Sequence, residues 1–366
     1  MNGTIGAKLR SGILCFILLI CATGTTSAQW NWWNFYDISY QFSPSENASR
    51  SLKNGAFVLG QYDLFTSYNI DNRIEVLAEL VFEAPGGELE VDLERLLISY
   101  TFIDLLTLEV GRGHSPLGYY GNTFHHGRQL ESTINRPLIL EFEDEGGLVP
   151  AHNVGMWLRG FAAGNAGVMD YTIGVANGQQ IDADHGELAL NLNEDDNPNK
   201  ILFGKLNLEP AILGGLGIGG SFYRGKVNGF SELSESPVID LDQNIFGAHL
   251  FYDILPVQIL AEYYNVNSKD MLDTAKPSYN STGYFAQAAY EFKEKIRPYA
   301  RIEELAPEMG DPYGNTLIGT EDVQRITGGV RFNISTQSSI KLEAITQKFG
   351  DNDSYLIIGT QWAVVF

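Results

Sequence analysis

Along most of this chain apolar and polar residues alternate one by one. In RIEVLAELVFEA, residues 73–84, one set is Arg73, Glu75, Leu77, Glu79, Val81 and Glu83, and the other is Ile74, Val76, Ala78, Leu80, Phe82 and Ala84. A period of two marks an extended strand with one face in an apolar medium and the other in a polar one. The same alternation recurs at 55–65, 153–161, 169–176, 202–209, 245–252, 257–264, 283–292, 296–304, 325–333 and 339–349, and more weakly at 36–42, 91–102, 105–113, 216–224 and 354–366. Helix-period stretches of useful length are absent after residue 28, so the expected fold is all-β.

A soluble sandwich and a membrane barrel both produce such strands, and the connections separate them. Short ones (68–72, 102–106, 164–167, 209–215, 252–256, 293–298 and 335–339) alternate with longer polar ones, including 114–152, 177–199, 225–243, 265–282 and 305–323. Tight turns at one end and long loops at the other are the plan of an antiparallel transmembrane β-barrel with periplasmic turns and extracellular loops. With the last strand running down to Phe366, parity demands a strand before 55–66, and YDISYQF (36–42) supplies it. The count comes to about 16 strands, within 14–18.

The N-terminus fixes the compartment. Lys8 and Arg10 precede the apolar run GILCFILLICATG, and small residues end at Ala28, the layout of a cleaved secretory signal peptide spanning 1–28. The mature domain is then 29–366. Both cysteines, Cys15 and Cys21, fall in the removed part, so no disulfide framework is available. Past residue 28 no run of 18 apolar residues occurs, which leaves strands as the only way across a membrane.

Losing Lys8 and Arg10 takes the formal charge from −21 to −23, which argues against nucleic acid as a partner. The 39 Gly, 18 Tyr and 20 Phe suit tight strands and aromatic girdles at lipid interfaces.

YLIIGTQWAVVF (355–366) sets Ile358, Trp362, Val364 and Phe366 on one face, with Thr360 the exception. It resembles the C-terminal strand of Gram-negative outer-membrane proteins. The resemblance implies location in the bacterial outer membrane, Phe366 as an insertion signal, and the barrel-insertion machinery as a partner. VGRGHSPLGYY (110–120) resembles the Gly-Arg-x-x-x-Pro-x-Gly stretch of phosphate-selective-type porins. Such pores need many Lys and Arg, whereas this chain has few, so no substrate is carried over.

In a barrel, Ile74, Val76, Ala78, Leu80, Phe82 and Ala84 face lipid, and Arg73, Glu75, Glu79 and Glu83 line the lumen. A Lys or Arg on the lipid face costs about 2–4 kcal/mol at the midplane. The same parity turns Arg159, Lys205, Arg297, Arg301, Glu303, Arg325, Arg331, Lys341 and Glu343 inward, and the basic groups of the last strands form a positive stripe. In 91–102 charge changes sides near Arg95, as a bulge causes.

The longest loop, 114–152, carries Glu141, Glu143, Asp144 and Glu145. It is expected to fold inward and narrow the pore, its carboxylates facing the arginine stripe; a solvated acidic loop tip is the plain alternative. His114, His125, His126 and His152 show no His-x-x-x-His spacing, so no metal is expected. His185 with Asp182 or Asp184 lacks a marked nucleophile, so no catalytic residue and no cofactor are expected.

The reading is an outer-membrane porin that passes small hydrophilic solutes or ions by diffusion, surrounded by lipid and lipopolysaccharide, with a homotrimer left open. The alternative is a plugged surface-binding or structural barrel acting through its outer loops.

Overall fold

The computed structural model describes residues 29–84, 89–124, 127–141, 147–182, 187–188, 199–230 and 237–366. The strands are β1 (Gln29–Phe42), β2 (Ala56–Asn69), β3 (Ile74–Glu83), β4 (Glu90–Ile103), β5 (Leu106–His114), β6 (His152–Gly164), β7 (Gly167–Asn177), β8 (Gln179–Asp182), β9 (Glu187–Leu188), β10 (Lys200–Pro210), β11 (Leu216–Phe230), β12 (Pro237–Ile254), β13 (Val257–Asp270), β14 (Ser278–Tyr290), β15 (Ile296–Ala306), β16 (Val323–Ser335), β17 (Ser338–Phe349) and β18 (Tyr355–Val365). The short β8 and β9 pair with each other, and β8 also runs parallel to β11 at Val227 and Asn228. The other sixteen are the staves of a closed antiparallel barrel.

Closure joins the two ends of the chain. β1 pairs with β18 from Phe35↔Val365 to Phe42↔Ile358, and Asn34 and Phe366 exchange backbone hydrogen bonds at 2.9 and 3.0 Å. Every stave therefore has two neighbours, which is what a backbone in lipid requires. Both termini and the seven short turns lie at one rim, and the eight longer connections at the other.

The pleat explains the alternation. Leu96, Ile98, Met156, Leu158, Ile173, Val175, Leu206, Ile218, Leu250, Ile326, Leu342, Ile358 and Trp362 are all exposed. On a soluble protein so continuous an apolar surface would drive association; on a barrel it is the lipid face. Trp30 stacks on Trp32, and Tyr100 and Tyr290 pair with Phe102 and Phe292, ring pairs of the kind that mark a lipid–water boundary.

Two details refine the sequence reading. The change of side near Arg95 is a bulge: Glu79 faces Arg95 and Leu80 faces Leu93, which leaves Glu94 as the extra residue. The expected loop 225–243 is instead mostly ladder, because β11 and β12 stay paired from Leu216↔Tyr252 to Phe230↔Pro237. At about 3.3 Å per residue β12 reaches roughly 60 Å, well past an apolar band of about 25 Å. Above the membrane neither face must be apolar, so KVNGF and IDLDQN continue the strand without the alternation. Likewise β13 and β14 shrink the expected loop 265–282 to 271–277.

Candidate functional site

The connection between β5 and β6 turns back into the lumen and lies against the wall formed by β13–β17. Arg301, 1 % exposed, holds it most firmly. Its Nη1 donates to Thr133 Oγ1 at 2.9 Å and to the Asn135 carbonyl at 3.0 Å, its Nη2 to the Arg136 carbonyl at 2.9 Å, and its Nε to Glu303 Oε1 at 3.0 Å. Lys341 Nζ donates to the carbonyls of Arg128 and Thr133 at 2.7 and 2.6 Å, and Arg331 Nη1 to that of Glu131 at 2.9 Å.

Carboxylates of the same wall take the loop's N–H groups. Glu262 Oε1 accepts from Tyr119 and Tyr120 at 2.7 and 2.6 Å, Glu303 Oε2 from Leu138 at 2.7 Å, and Glu343 Oε2 from Ile134 at 3.0 Å. With only a single helical turn at Tyr120–Thr123 and a 3-10 turn at Leu138–Leu140 among its described residues, the loop must find other partners for its buried backbone groups. Here charged wall residues supply them, as charge-assisted bonds stronger than neutral ones. Burial, and after it the neighbouring Arg128, pushes Arg136 down to about 10, which leaves it charged at neutral pH beside Glu131.

Apolar contacts complete the docking. Leu117, Tyr120, Leu138, Ile139, Leu148 and Val149 from the loop pack with Tyr264, Phe285, Leu305, Tyr313 and Leu317 in one buried cluster. Gly118 shows how close the approach is: its φ is +68°, and a Cβ there would sit 1.9 Å from the Tyr264 hydroxyl. Gly111, at φ +137°, would place a Cβ 2.0 Å from the Leu96 carbonyl oxygen. Both glycines of the Gly-Arg-x-x-x-Pro-x-Gly stretch are thus required by backbone geometry.

The opposite wall stays open. A cavity of about 580 Å³ runs between the loop and β4–β7 with β10, lined by Arg95, Glu109, Arg159, Asp170, Tyr171 and Lys205, with Asn122 on the loop side. A smaller one of about 160 Å³, lined by Trp33, Phe35, Phe65 and Glu79, shares Arg95, His114 and Asn122 with it. Arg159 Nε meets Glu109 Oε1 at 2.6 Å while its side chain stays 51 % exposed to the passage. Glu109 also accepts from Trp157 Nε1 at 2.5 Å and Ser99 Oγ at 3.1 Å. Asn207 joins Asp170 at 2.8 Å to His249 at 3.3 Å. Acids and bases are interleaved along this cavity: Arg95 is paired with Glu79, Arg159 with Glu109, and Asp170 is held by Asn207.

The expected site residues divide accordingly. Arg301, Arg331 and Lys341 are lumenal but spent on the loop backbone, so they do not form an exposed stripe. Arg325 Nη1 meets Glu141 Oε1 at 2.7 Å, an arginine–carboxylate contact across wall and loop; Glu143, Asp144 and Glu145 lie outside the described residues. Arg297 is held by Glu291, with Nε to Oε2 at 2.9 Å. Glu79 pairs with Arg95 at 2.5 Å, Glu75 sits opposite Ser99, and Glu83 near the upper rim accepts from Gln61 at 3.2 Å.

Arg73 is a correction. It lies in the periplasmic turn before β3, fully exposed, and its Nη1 reaches the Tyr100 hydroxyl at 3.4 Å. Tyr100 shares the outward face with Ile74, so Arg73 belongs to the lipid boundary: the strand parity that turned it inward ends at the turn.

Sequence reasoning passed over Glu109, Asp170, Trp157 and Glu262. Parity within LTLEVGR, MDYTIG and ILAEYY marks three of them as inward. Nothing local distinguishes a carboxylate that lines water from one that accepts loop N–H groups.

No protein-family model and no curated protein sequence matches the chain. Among solved structures it is similar to the loop-L8 deletion mutant of OmpT, an outer membrane protein of Vibrio cholerae (TM-score 0.60, 10% identity, 93% of this chain and 100% of that one). The outer membrane channel DcaP of Acinetobacter baumannii gives a TM-score of 0.60 at 11% identity over 94% of this chain and 100% of that one. OmpF of Salmonella typhi, in complex with daunomycin, gives 0.56 at 11% identity over 92% and 97%. At such identity the likeness speaks for the fold alone, and it does not extend to phosphate selectivity. In fold, the chain is a closed sixteen-stranded antiparallel β-barrel, the architecture of these outer-membrane proteins.

Proposed function

We propose that this barrel is a channel through which small hydrophilic solutes or ions diffuse, with residues 1–28 an export signal removed before the single domain 29–366 is inserted. The observation that carries the reading is the asymmetric lumen. The inward loop is fastened to one wall, and a polar passage lined by Arg95, Glu109, Arg159, Asp170 and Lys205 remains along the other. Its lining carries both signs at close range, so a solute is selected by size, dipole and charge. No chemistry is assigned to the lining: Arg95 and Arg159 are paired with Glu79 and Glu109, and among the described residues no nucleophile is bonded to a base there.

A plugged barrel working through its outer loops is the second reading, favoured by the depth to which Leu138, Ile139 and Tyr120 are buried. Planar-bilayer recording of the refolded mature protein in a KCl gradient decides between them. Stable open steps are expected, with a reversal potential that moves when Arg159 is replaced. Silence from correctly folded, heat-modifiable protein would move the assignment to the plugged barrel. A trimer form of V. cholerae OmpT is known, and the outward apolar belt here is compatible with three barrels side by side.

A further inference from the structure

The inward loop has a neck, and two histidines form it. His114 is the last residue of β5 and His152 the first of β6. They face each other in the ladder with ring centroids 5.5 Å apart, and Ser115 N donates to the Ala151 carbonyl at 2.8 Å just above them. The bulge in β4 brings Glu94 to the same place, with Oε2 2.5 Å from His152 Nε2. One ligand atom from each of Glu94, His114 and His152 lies within 4.8 Å of the other two. The three side chains are only 7–12 % exposed, yet His114 borders both cavities, which gives an ion a route from the lumen.

We propose that Glu94, His114 and His152 bind a zinc ion that staples the neck of the inward loop. Two imidazoles and one carboxylate make a three-ligand set that suits a tetrahedral d¹⁰ cation with water in the fourth position; calcium and magnesium prefer all-oxygen sets. Ligand atoms around tetrahedral zinc stand about 3.3 Å apart, from bonds of about 2.0–2.1 Å, so side-chain rotations must draw together the atoms now up to 4.8 Å apart and part Glu94 Oε2 from His152 Nε2, now at 2.5 Å. Glu79 Oε2, paired with Arg95, stands 3.9 Å from His114 Nε2 and adds negative charge beside the site. The absence of a His-x-x-x-His pair in the sequence does not weigh against the site. In a sheet, ligands are brought together by register across strands, and 37 residues of loop separate these two histidines in the chain.

The test is zinc binding by the refolded full barrel, measured by competition with a chromogenic chelator and independent of any conductance. One equivalent of zinc is expected at micromolar or lower concentration, with Co²⁺ giving the intense visible bands of a four-coordinate site. His114→Gln, His152→Gln and Glu94→Gln should each weaken binding about 100-fold or more, since loss of a mere supporting contact already costs 10–100-fold. Heat-modifiable migration and far-ultraviolet circular dichroism check that each variant is folded. Wild-type protein that binds no zinc, weak six-coordinate Co²⁺ bands, or folded variants that bind as well as wild type would each overturn the proposal. If one variant does not fold, the other two and the wild-type Co²⁺ spectrum still decide.

Discussion

The two walls of the lumen are built from the same residue types and do opposite things with them. On β15–β17, Arg301, Arg331 and Lys341 are buried and donate to backbone carbonyls of the loop. On β4–β7 and β10, Arg95, Arg159 and Lys205 border open space. Charge on an inward strand face is therefore not by itself a selectivity filter. It becomes one only where no other segment claims it.

Separating these roles by mutation gives a graded series. Arg301→Ala removes the guanidinium that fastens the loop and leaves the buried Glu303 with only Arg325 at 4.0 Å and the Leu138 N–H, against about 3–5 kcal/mol when a buried ion pair is broken outright. A lower temperature for loss of heat-modifiable folded form is expected, together with larger and noisier single-channel steps. A wild-type thermal profile and conductance would refute the account of this wall.

Lys341→Met is milder. Two loop carbonyls lose their donor while the volume is kept, at a cost of about 1–3 kcal/mol, and the same two readouts should move in the same direction by less.

Arg159→Glu acts on the other wall. The side chain is half-exposed, so losing its pair with Glu109 costs less than about 1 kcal/mol, to which the new carboxylate adds repulsion from the buried Glu109. The reversal potential in a KCl gradient should shift toward cation preference, and no shift would place the conducting path elsewhere. Arg73→Ala closes the series, with no effect on selectivity and within about 0.5 kcal/mol on stability, as a surface change at the periplasmic turn.

How far these walls were legible in the sequence follows from what each residue answers to. Lipid imposes a strict period on Ile74 to Phe82, and the weak segments 36–42 and 91–102 also became strands once parity and the bulge at Glu94 were allowed for. The ends of β11 and β12 were not legible, because no lipid enforces an apolar outer face there and the buried positions mix polar Asn228 and Gln243 with Val227 and Leu241. The parity that turned Arg301, Arg331 and Lys341 inward was sound for the strands. Their partners, however, are main-chain carbonyls of residues 128–136, and a carbonyl leaves no mark in a sequence. The pairing of His114 with His152 was hidden for a related reason, since ladder register is a property of two strands at once.

The distances along the chain between the loop and its wall carry a consequence for assembly order. Tyr119 reaches Glu262 over 143 residues, Arg331 reaches Glu131 over 200, and Ile134 reaches Glu343 over 209. Contacts this remote in the chain form late and slowly, because the intervening residues must be ordered first. The loop can be fastened only once β13–β17 are in place, so whatever orders the C-terminal third of the barrel also fixes how far the lumen is filled.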